Sequence, residues 1–156
     1  MRIVLLYAAL LTLLFVGLSF RTLRLRRRLH IAIGDADNPT MLRAMRVHAN
    51  FAEYVPLSLL LLYFVEATGA SSLLVHALGL SVFAGRVIHA FGVSQVEEKY
   101  AFRVMGMVLT LGPLIVAAVS FSERLSRHRR AIGTPLAGRL VHWVGAFNNP
   151  QRCRDR

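Results

Sequence analysis

Hydrophobic residues in this chain are concentrated in four long stretches that are separated by short polar segments. The stretches are Ile3–Phe20, Phe51–Val65, Ser71–Gly92 and Tyr100–Phe121. A helix that crosses a bilayer needs about 20 mostly apolar residues, and three of the four stretches reach about that length unaided. The second is shorter, but its helix can extend backwards through Arg46 if its polar start faces protein or the membrane interface. The pattern predicts a small all-α integral membrane protein, a bundle of four transmembrane helices.

Turn residues and helix-start residues mark the boundaries between these helices. The segment Gly34–Pro39 predicts a loop after the first span, followed by a second helix that begins near Thr40 and runs through Val65. Glu66–Ala70 predicts a short hairpin turn, and Val93–Lys99 predicts the link to the fourth helix. We therefore expect residues 1–121 to form one four-helix transmembrane domain.

Residues 122–156 form a basic tail. Its apolar part, PLAGRLVHWVGAF, is too short to span a bilayer, and Arg139, His142 and Trp143 suit a helix that lies in the interface. Either such an interfacial helix or a partly disordered tail fits this composition.

The net charge of +11 comes from 19 basic residues, all of them arginine except Lys99. On a soluble domain this charge would suggest nucleic acid. Here the arginines cluster at the ends of the spans, where anionic headgroups and topology signals explain them better, so we expect no nucleic-acid partner. The five arginines after the first span place the first loop in the cytoplasm, whereas the basic tail favours the opposite orientation.

Polar side chains gather on one face of the second helix. At about 100° per residue, a sector of about 100° contains five of them: Arg43, Arg46, Asn50, Glu53 and Tyr54. Such a stripe is costly against lipid, so it must face protein or a water-filled cleft.

The third and fourth helices carry polar groups near the same end of the bundle. Arg86 and His89 share a face of the third helix, and Arg103, Met107 and Thr110 share a face of the fourth. Because the second helix starts where the third ends and the fourth starts, chain direction alone brings these groups to one membrane face.

An ion pair between Glu53 and Arg43 or Arg46 would explain the stripe as a simple staple between helices. The surplus of positive charge argues against this, since Arg46, Arg86 and Arg103 outnumber Glu53 in one layer. Excess cations favour a small carboxylate-rich ligand, whose ammonium group Glu53 can receive. Glutathione has this profile, and a guanidinium beside its thiol favours the reactive thiolate.

The pattern Arg46-x-His48-x-Asn50-x-x-Glu53-Tyr54-x-Pro56 resembles the second-helix signature of the MAPEG family, the membrane-associated proteins in eicosanoid and glutathione metabolism. The segments MLRAMRVHANFAEYVPLSLLLL and LLVHALGLSVFAGRVIHAFGVS are most similar to its bacterial branch. The likeness extends over residues 1–121 in span number, loop lengths and motif order.

This resemblance implies a homotrimer in a bacterial inner membrane, with glutathione held as co-substrate between neighbouring subunits. It implies an integral-membrane glutathione-dependent transferase, in which the thiolate attacks a lipophilic electrophile from the bilayer. Arg103 matches the catalytic arginine at the thiol. The glutathione-binding residues implied by the match are Arg24, Arg46, Asn50, Glu53, Tyr54 and Arg86, with Arg21 and Arg26 as rivals of Arg24. His89 joins them because it shares the Arg86 face.

The chain differs from some relatives at two positions, and two other functions are compatible with its sequence. Val93 and Val104 stand where relatives carry a Tyr and a Ser, so a prostaglandin-specific isomerase is not implied. A non-catalytic lipid-binding or glutathione-binding scaffold of the same fold is the first alternative. A transport or stress-related subunit unrelated to thiols is the second.

Histidines and glycines of the spans have simpler interpretations. His48, His76 and His89 lack carboxylates at metal-ligand spacing, so we expect helix-to-helix hydrogen bonds and no metal site. Four glycines predict close contacts between helices: Gly79, Gly85, Gly106 and Gly112.

Overall fold

Four α-helices make up the computed structural model of this protein, which describes residues 2–95 and 100–147, without the side chains at 129 and 131–147. The helices are α1 (Ile3–Leu29), α2 (Pro39–Ala67), α3 (Ser72–Ser94) and α4 (Tyr100–Phe147). The predicted all-α fold is confirmed. The predicted link Val93–Lys99 falls partly outside the described residues, as do the side chains named for the tail helix and the tail beyond residue 147.

Local chemistry explains where α1 ends and α2 begins. His30 adopts the left-handed conformation (φ 53°) and its backbone N–H returns to the Arg26 carbonyl, which closes α1. Asn38 caps α2, since its side-chain oxygen accepts from the backbone N–H groups of Thr40 and Met41 at 3.1 and 3.0 Å. Pro39 fills the first helical position, where no N–H is needed. The predicted start of the second helix is confirmed.

Three helical segments are long and apolar enough to cross a membrane: Ile3–Leu29, Ser72–Ser94 and Tyr100–His128. Helix α2 has 29 residues, but charged side chains occupy its first half. A crossing by α2 therefore stays a prediction. Three such helices make the chain an integral membrane protein.

Helices α1, α2 and α3 pack against one another through one apolar face of each. The middle of this core contains Leu11 of α1, Phe51 and Val55 of α2, and Val82 of α3. One polar contact crosses it, where His48 Nε2 lies 3.0 Å from the Ser19 hydroxyl. The prediction that His48 serves helix packing is confirmed. Burial of this face turns the polar stripe of α2 away from α1.

Helix α4 meets α3 almost backbone to backbone. A Cβ atom added at Gly106 would lie 2.7 Å from the His89 backbone nitrogen and 2.8 Å from the Gly85 carbonyl oxygen. Gly79 is packed as tightly against the Tyr7 ring. The close contacts predicted at Gly79, Gly85 and Gly106 are confirmed. At Gly112 the prediction is wrong, because no atom of another described helix lies within 4 Å of such a Cβ.

The chain divides at Phe121 into two compact units, Met1–Phe121 and Ser122–Arg156. The first contains α1 to α3 and the start of α4, and all predicted site residues fall within it. The second contains the rest of α4.

The first unit has two ends, which we call the cleft end and the far end. At the cleft end α1 stops, α2 starts, α3 stops and α4 starts; at the far end α1 starts, α2 stops and α3 starts. The far end is held by Glu66, whose carboxylate accepts from the backbone N–H groups of Ile3 (2.5 Å) and Val4 (3.1 Å). Nearby, the Tyr7 hydroxyl lies 3.1 Å from both Nδ1 and the backbone oxygen of His76.

Candidate functional site

A cleft of about 450 Å³ opens at the cleft end of the bundle, between α2, α3 and α4. Six charged or polar side chains from all three helices line it, together with four apolar residues. The lining residues are Pro39, Leu42, Arg43, Arg46, Ala49, Asn50, Glu53, His89, Val93 and Arg103. Polar groups of α2, α3 and α4 therefore converge at one end of the bundle, as chain direction predicts, and the position of this end at a membrane face stays a prediction.

Helix periodicity explains the α2 wall of the cleft. Arg46, Asn50 and Glu53 are spaced four and three residues apart and so lie on one face. A face about 100° further around the helix carries Val47 and Phe51, which are buried against α1 and α3. Burial of these apolar positions sets the rotation of α2 about its axis, and this rotation directs the polar face into the cleft.

Close approach of α3 and α4 supplies the other two polar groups. His89 is buried, with 5% of its surface exposed, and its backbone touches the position of Gly106. Further along, a Cβ at Gly92 would meet the Phe102 Cβ at 2.8 Å and the Arg103 backbone nitrogen at 3.2 Å. Two glycine contacts therefore hold the start of α4 against the end of α3, and Arg103 reaches the cleft.

Arg86 lies behind the cleft wall, with only 1% of its surface exposed. Its NH1 group donates to Asn50 Oδ1 at 2.7 Å, and its Nε donates to Thr110 Oγ1 at 3.0 Å. Its NH2 group lies 3.6 Å from Met107 Sδ, and its guanidinium carbon lies 5.4 Å from the Tyr54 ring centre. One side chain of α3 thus connects α2 and α4.

The charge of Arg86 has only neutral partners among the described residues: an amide oxygen, a hydroxyl, a thioether and an aromatic ring. A buried cation without a carboxylate beside it raises the electrostatic potential around it. Arg46 and Arg103 add further positive charge to the cleft wall. The arrangement favours a negatively charged occupant of the cleft.

Glu53 is the one acidic residue among the described residues that line the cleft, and its side chain is exposed. Within the described residues its carboxylate forms no ion pair with Arg43 or Arg46. Arg43 instead donates to the Val93 carbonyl oxygen at 3.3 Å, among its other contacts. The interpretation of the stripe as a staple between Glu53 and these arginines is therefore not supported.

The predicted site residues fall into three groups. Five line the cleft: Arg46, Asn50, Glu53, His89 and Arg103. Arg86 joins the cleft through Asn50, and Tyr54 stands against Arg86. Arg24 is exposed on α1 and does not line the cleft of its own chain.

The two rivals of Arg24 are engaged elsewhere. Arg21 donates to the Ser94 hydroxyl at 2.6 Å, at the end of α3. Arg26 donates to the carbonyl oxygens of Ala32 and Gly34 at 3.3 and 3.2 Å, which folds the first loop back onto α1.

Sequence reasoning left Arg43 out of the site, although it placed the residue on the polar stripe. Helical spacing could have identified Arg43 as a site residue, because it precedes Arg46 by three positions and lies on the same helix face. Pro39, Leu42 and Ala49 line the cleft without any chemical signal in the sequence. They contribute shape near the start of α2, and only the packing of α2 against α3 reveals them.

Comparisons with known proteins agree with the sequence pattern. A family model described as the MAPEG family matches residues 4–121. The Inner membrane protein YecN of Escherichia coli strain K12 is 34% identical over 115 residues, which cover 74% of this chain and 86% of that protein. The protein of the same name from E. coli O6:H1 matches to the same extent. The family match spans every predicted site residue, from Arg24 to Arg103.

Proposed function

The chain belongs to the MAPEG family, and from this premise we propose that it is an integral-membrane glutathione-dependent transferase. Glutathione occupies the cleft between α2, α3 and α4, and its thiolate attacks a lipophilic electrophile that arrives through the bilayer. The observation that carries the proposal is the composition of the cleft wall. Arg46, Asn50 and Arg103 offer hydrogen-bond donors, and Glu53 offers a carboxylate.

This wall matches the charges of glutathione, which has two carboxylates and one ammonium group. Arginine stays protonated and presents a planar fork of donors that suits a carboxylate. We assign Arg46 to a carboxylate of glutathione for this reason. Glu53 suits the ammonium group, since no described residue competes for its carboxylate. A cleft volume of about 450 Å³ lies within the range of small-molecule sites, about 300–1,000 Å³.

Arg103 is the residue that we assign to the thiol. A guanidinium near sulfur lowers the thiol pKa by favouring the charged form, and the released proton passes to solvent. With a chlorinated nitroaromatic as electrophile, the thiolate sulfur forms a bond to the ring carbon that carries chlorine. The carbon–chlorine bond then breaks, and chloride leaves with the bonding electrons. Proximity in the cleft and thiolate stabilisation supply the rate.

A homotrimer would complete the site. Arg24 lies away from the cleft of its own chain, so only a second copy brings this exposed guanidinium to glutathione. Arg21 and Arg26 both donate within their own chain, which leaves Arg24 as the better candidate. The inner membrane of a bacterium is the location that we propose, by analogy with the E. coli relatives, whose name is inner membrane protein.

The test uses the purified protein in lipid nanodiscs. We expect wild type to conjugate glutathione to a chlorinated nitroaromatic and to show ultraviolet thiolate absorbance when glutathione binds. Arg103→Ala should abolish that absorbance and lower the conjugation rate by about a hundredfold, the usual scale for loss of one stabilising group at a reacting centre. Arg2→Ala is the matched control, because Arg2 stacks over Tyr63 at the far end.

Each outcome separates the functions. Full thiolate absorbance in Arg103→Ala removes Arg103 from its role. Glutathione binding without conjugation of any electrophile favours the non-catalytic scaffold of the same fold. An absence of binding heat at millimolar glutathione contradicts the transferase and favours a lipid-binding scaffold of the same fold.

A further inference from the structure

We propose that Arg86 is a positioning residue that sets the polarity of the Asn50 amide, so that the cleft recognises a carboxylate oxygen at that point and rejects a donor. The inference rests on the proposed function for the identity of its ligand. It assigns Arg86 an action through Asn50, in place of the direct contact with glutathione that the family resemblance implies.

Arg86 itself is held too deeply to serve as a direct ligand. Only 1% of its surface is exposed, and its three nitrogens point to Asn50, Thr110 and Met107. The Tyr54 ring covers the guanidinium from α2. Direct contact with a molecule in the cleft would require Arg86 to abandon these partners.

The hydrogen-bond chain around Arg86 has only one possible direction. The Thr110 hydroxyl donates to the Gly106 carbonyl oxygen at 2.8 Å, so its oxygen accepts from Arg86 Nε. A guanidinium carries donors and no acceptor. The Asn50 atom that lies 2.7 Å from Arg86 NH1 must therefore be the carbonyl oxygen.

This fixes which group Asn50 offers to the cleft. With the oxygen turned to Arg86, the amide nitrogen is the polar atom left for an occupant, and Asn50 belongs to the cleft wall. A rotated amide would place two donors against each other and lose a hydrogen bond to a charged group. Asn50 therefore presents N–H groups, which bind a carboxylate and disfavour another donor.

The Gly85–Gly106 contact makes this arrangement possible. Because the two backbones nearly touch, Thr110 of α4 lies close enough to accept from Arg86 of α3. The polarity of a residue on α2 is thus determined by the contact between α3 and α4.

The first experiment measures whether the cleft prefers a ligand carboxylate to a carboxamide. Isothermal titration compares glutathione with its two monoamide analogues, each with one carboxylate replaced by a primary carboxamide. Asn50→Asp keeps an oxygen towards Arg86 and replaces the donor by an acceptor. We expect glutathione affinity to fall at least about tenfold, while one monoamide, which can donate, binds this variant more tightly than glutathione does. Equal losses for all three ligands, or unchanged glutathione affinity, would overturn the proposal.

The second experiment tests Arg86 against its conservative variant. Arg86→Met frees the amide to rotate, so the preference for glutathione over the discriminating monoamide should fall towards one. Arg86→Lys retains a donor without an acceptor and should keep the preference. A merely structural role would weaken both ligands by the same factor in Arg86→Met and leave their ratio unchanged.

Melting temperatures measured without ligand test the orientation of the Asn50 amide independently of the proposed function. Asn50→Asp should melt at or above the wild-type temperature, because Arg86 gains a charged acceptor, whereas Asn50→Leu should melt several degrees lower. If wild type binds no glutathione but the melting order holds, the proposed function fails and the polarity of Asn50 stands. A lower melting temperature for Asn50→Asp than for wild type overturns the polarity itself.

Discussion

Helix α2 carries two glutamates, Glu53 in the cleft and Glu66 at the far end, and the two are used in opposite ways. At the far end the Glu66 carboxylate accepts from two backbone N–H groups that α1 would otherwise leave unsatisfied. In the cleft Glu53 is exposed among arginines, and its carboxylate caps none of the described helices. The Tyr7 hydroxyl and His76 likewise satisfy each other at the far end. The carboxylate at the far end is used within the chain, whereas the carboxylate in the cleft is exposed.

This difference separates polar groups that stabilise from polar groups that bind. Both ends contain charged residues in a membrane protein, so charge alone would not distinguish them. Partners do, because Glu66 already accepts from two backbone N–H groups, whereas Glu53 accepts from none of the described residues. The predictions below change one end at a time, in order of decreasing expected effect.

Gly106→Ala should have the largest effect on stability. The added Cβ would meet backbone atoms of His89 and Gly85 at 2.7 and 2.8 Å, and backbone does not yield as a side chain does. We expect a loss of about 3 kcal/mol in the free energy of unfolding, the upper part of the overpacking range. Unfolding in mixed micelles titrated with sodium dodecyl sulfate measures it.

Gly112→Ala is the matched control on the same helix. No atom lies within 4 Å of its added Cβ, so the change should be neutral or stabilising by up to about 1 kcal/mol. Equal destabilisation by the two substitutions would show that the α3–α4 contact is not the cause.

Glu66→Ala and Glu53→Ala should produce opposite phenotypes. Loss of the Glu66 cap leaves two N–H groups unsatisfied and should cost about 1–2 kcal/mol of stability, with glutathione affinity unchanged. Loss of Glu53 should change stability by less than about 0.5 kcal/mol, as expected at an exposed position. It should lower glutathione affinity at least about tenfold, because the ligand ammonium loses its partner.

Both quantities come from the same samples, by micelle unfolding and by isothermal titration. The contrast between the two ends fails if Glu66→Ala weakens binding as much as Glu53→Ala does. It also fails if Glu53→Ala unfolds more easily than Glu66→Ala.

Tyr7→Phe should have the smallest effect. It removes the hydroxyl that reaches His76 and keeps the ring that packs against Gly79. We expect a loss of about 1 kcal/mol, the usual net value of one hydrogen bond, with the conjugation rate of wild type. A reduced rate would mean that the far end takes part in function.

Local patterns in the sequence predicted most of the fold. Asn38 and Pro39 mark the start of α2 through chemistry confined to a few neighbouring residues. The polar face of α2 follows from spacing, and chain direction brings Arg103 towards Asn50. These features depend on helix geometry, which a sequence expresses directly.

Features that depend on distant partners were not predictable in the same way. Glu66 looked like an ordinary turn residue, because its partners lie 62 and 63 positions earlier in the chain. Chain direction predicts that Arg86 and Asn50 lie at one end of the bundle, but not that Arg86 is buried there and donates to the Asn50 oxygen. Gly106 and Gly112 both lie in the apolar part of α4, yet of these two only Gly106 contacts α3. Tertiary contact, rather than local preference, decides these positions.

The capping of α1 by Glu66 also bears on how the chain is assembled during synthesis. The first turn of α1 leaves the ribosome some sixty residues before the carboxylate that completes it. Until α2 arrives, water or headgroups must solvate those N–H groups, because their carboxylate partner has not yet been synthesised. The cap therefore forms only after α2 has been made, and a chain truncated after the first loop lacks it.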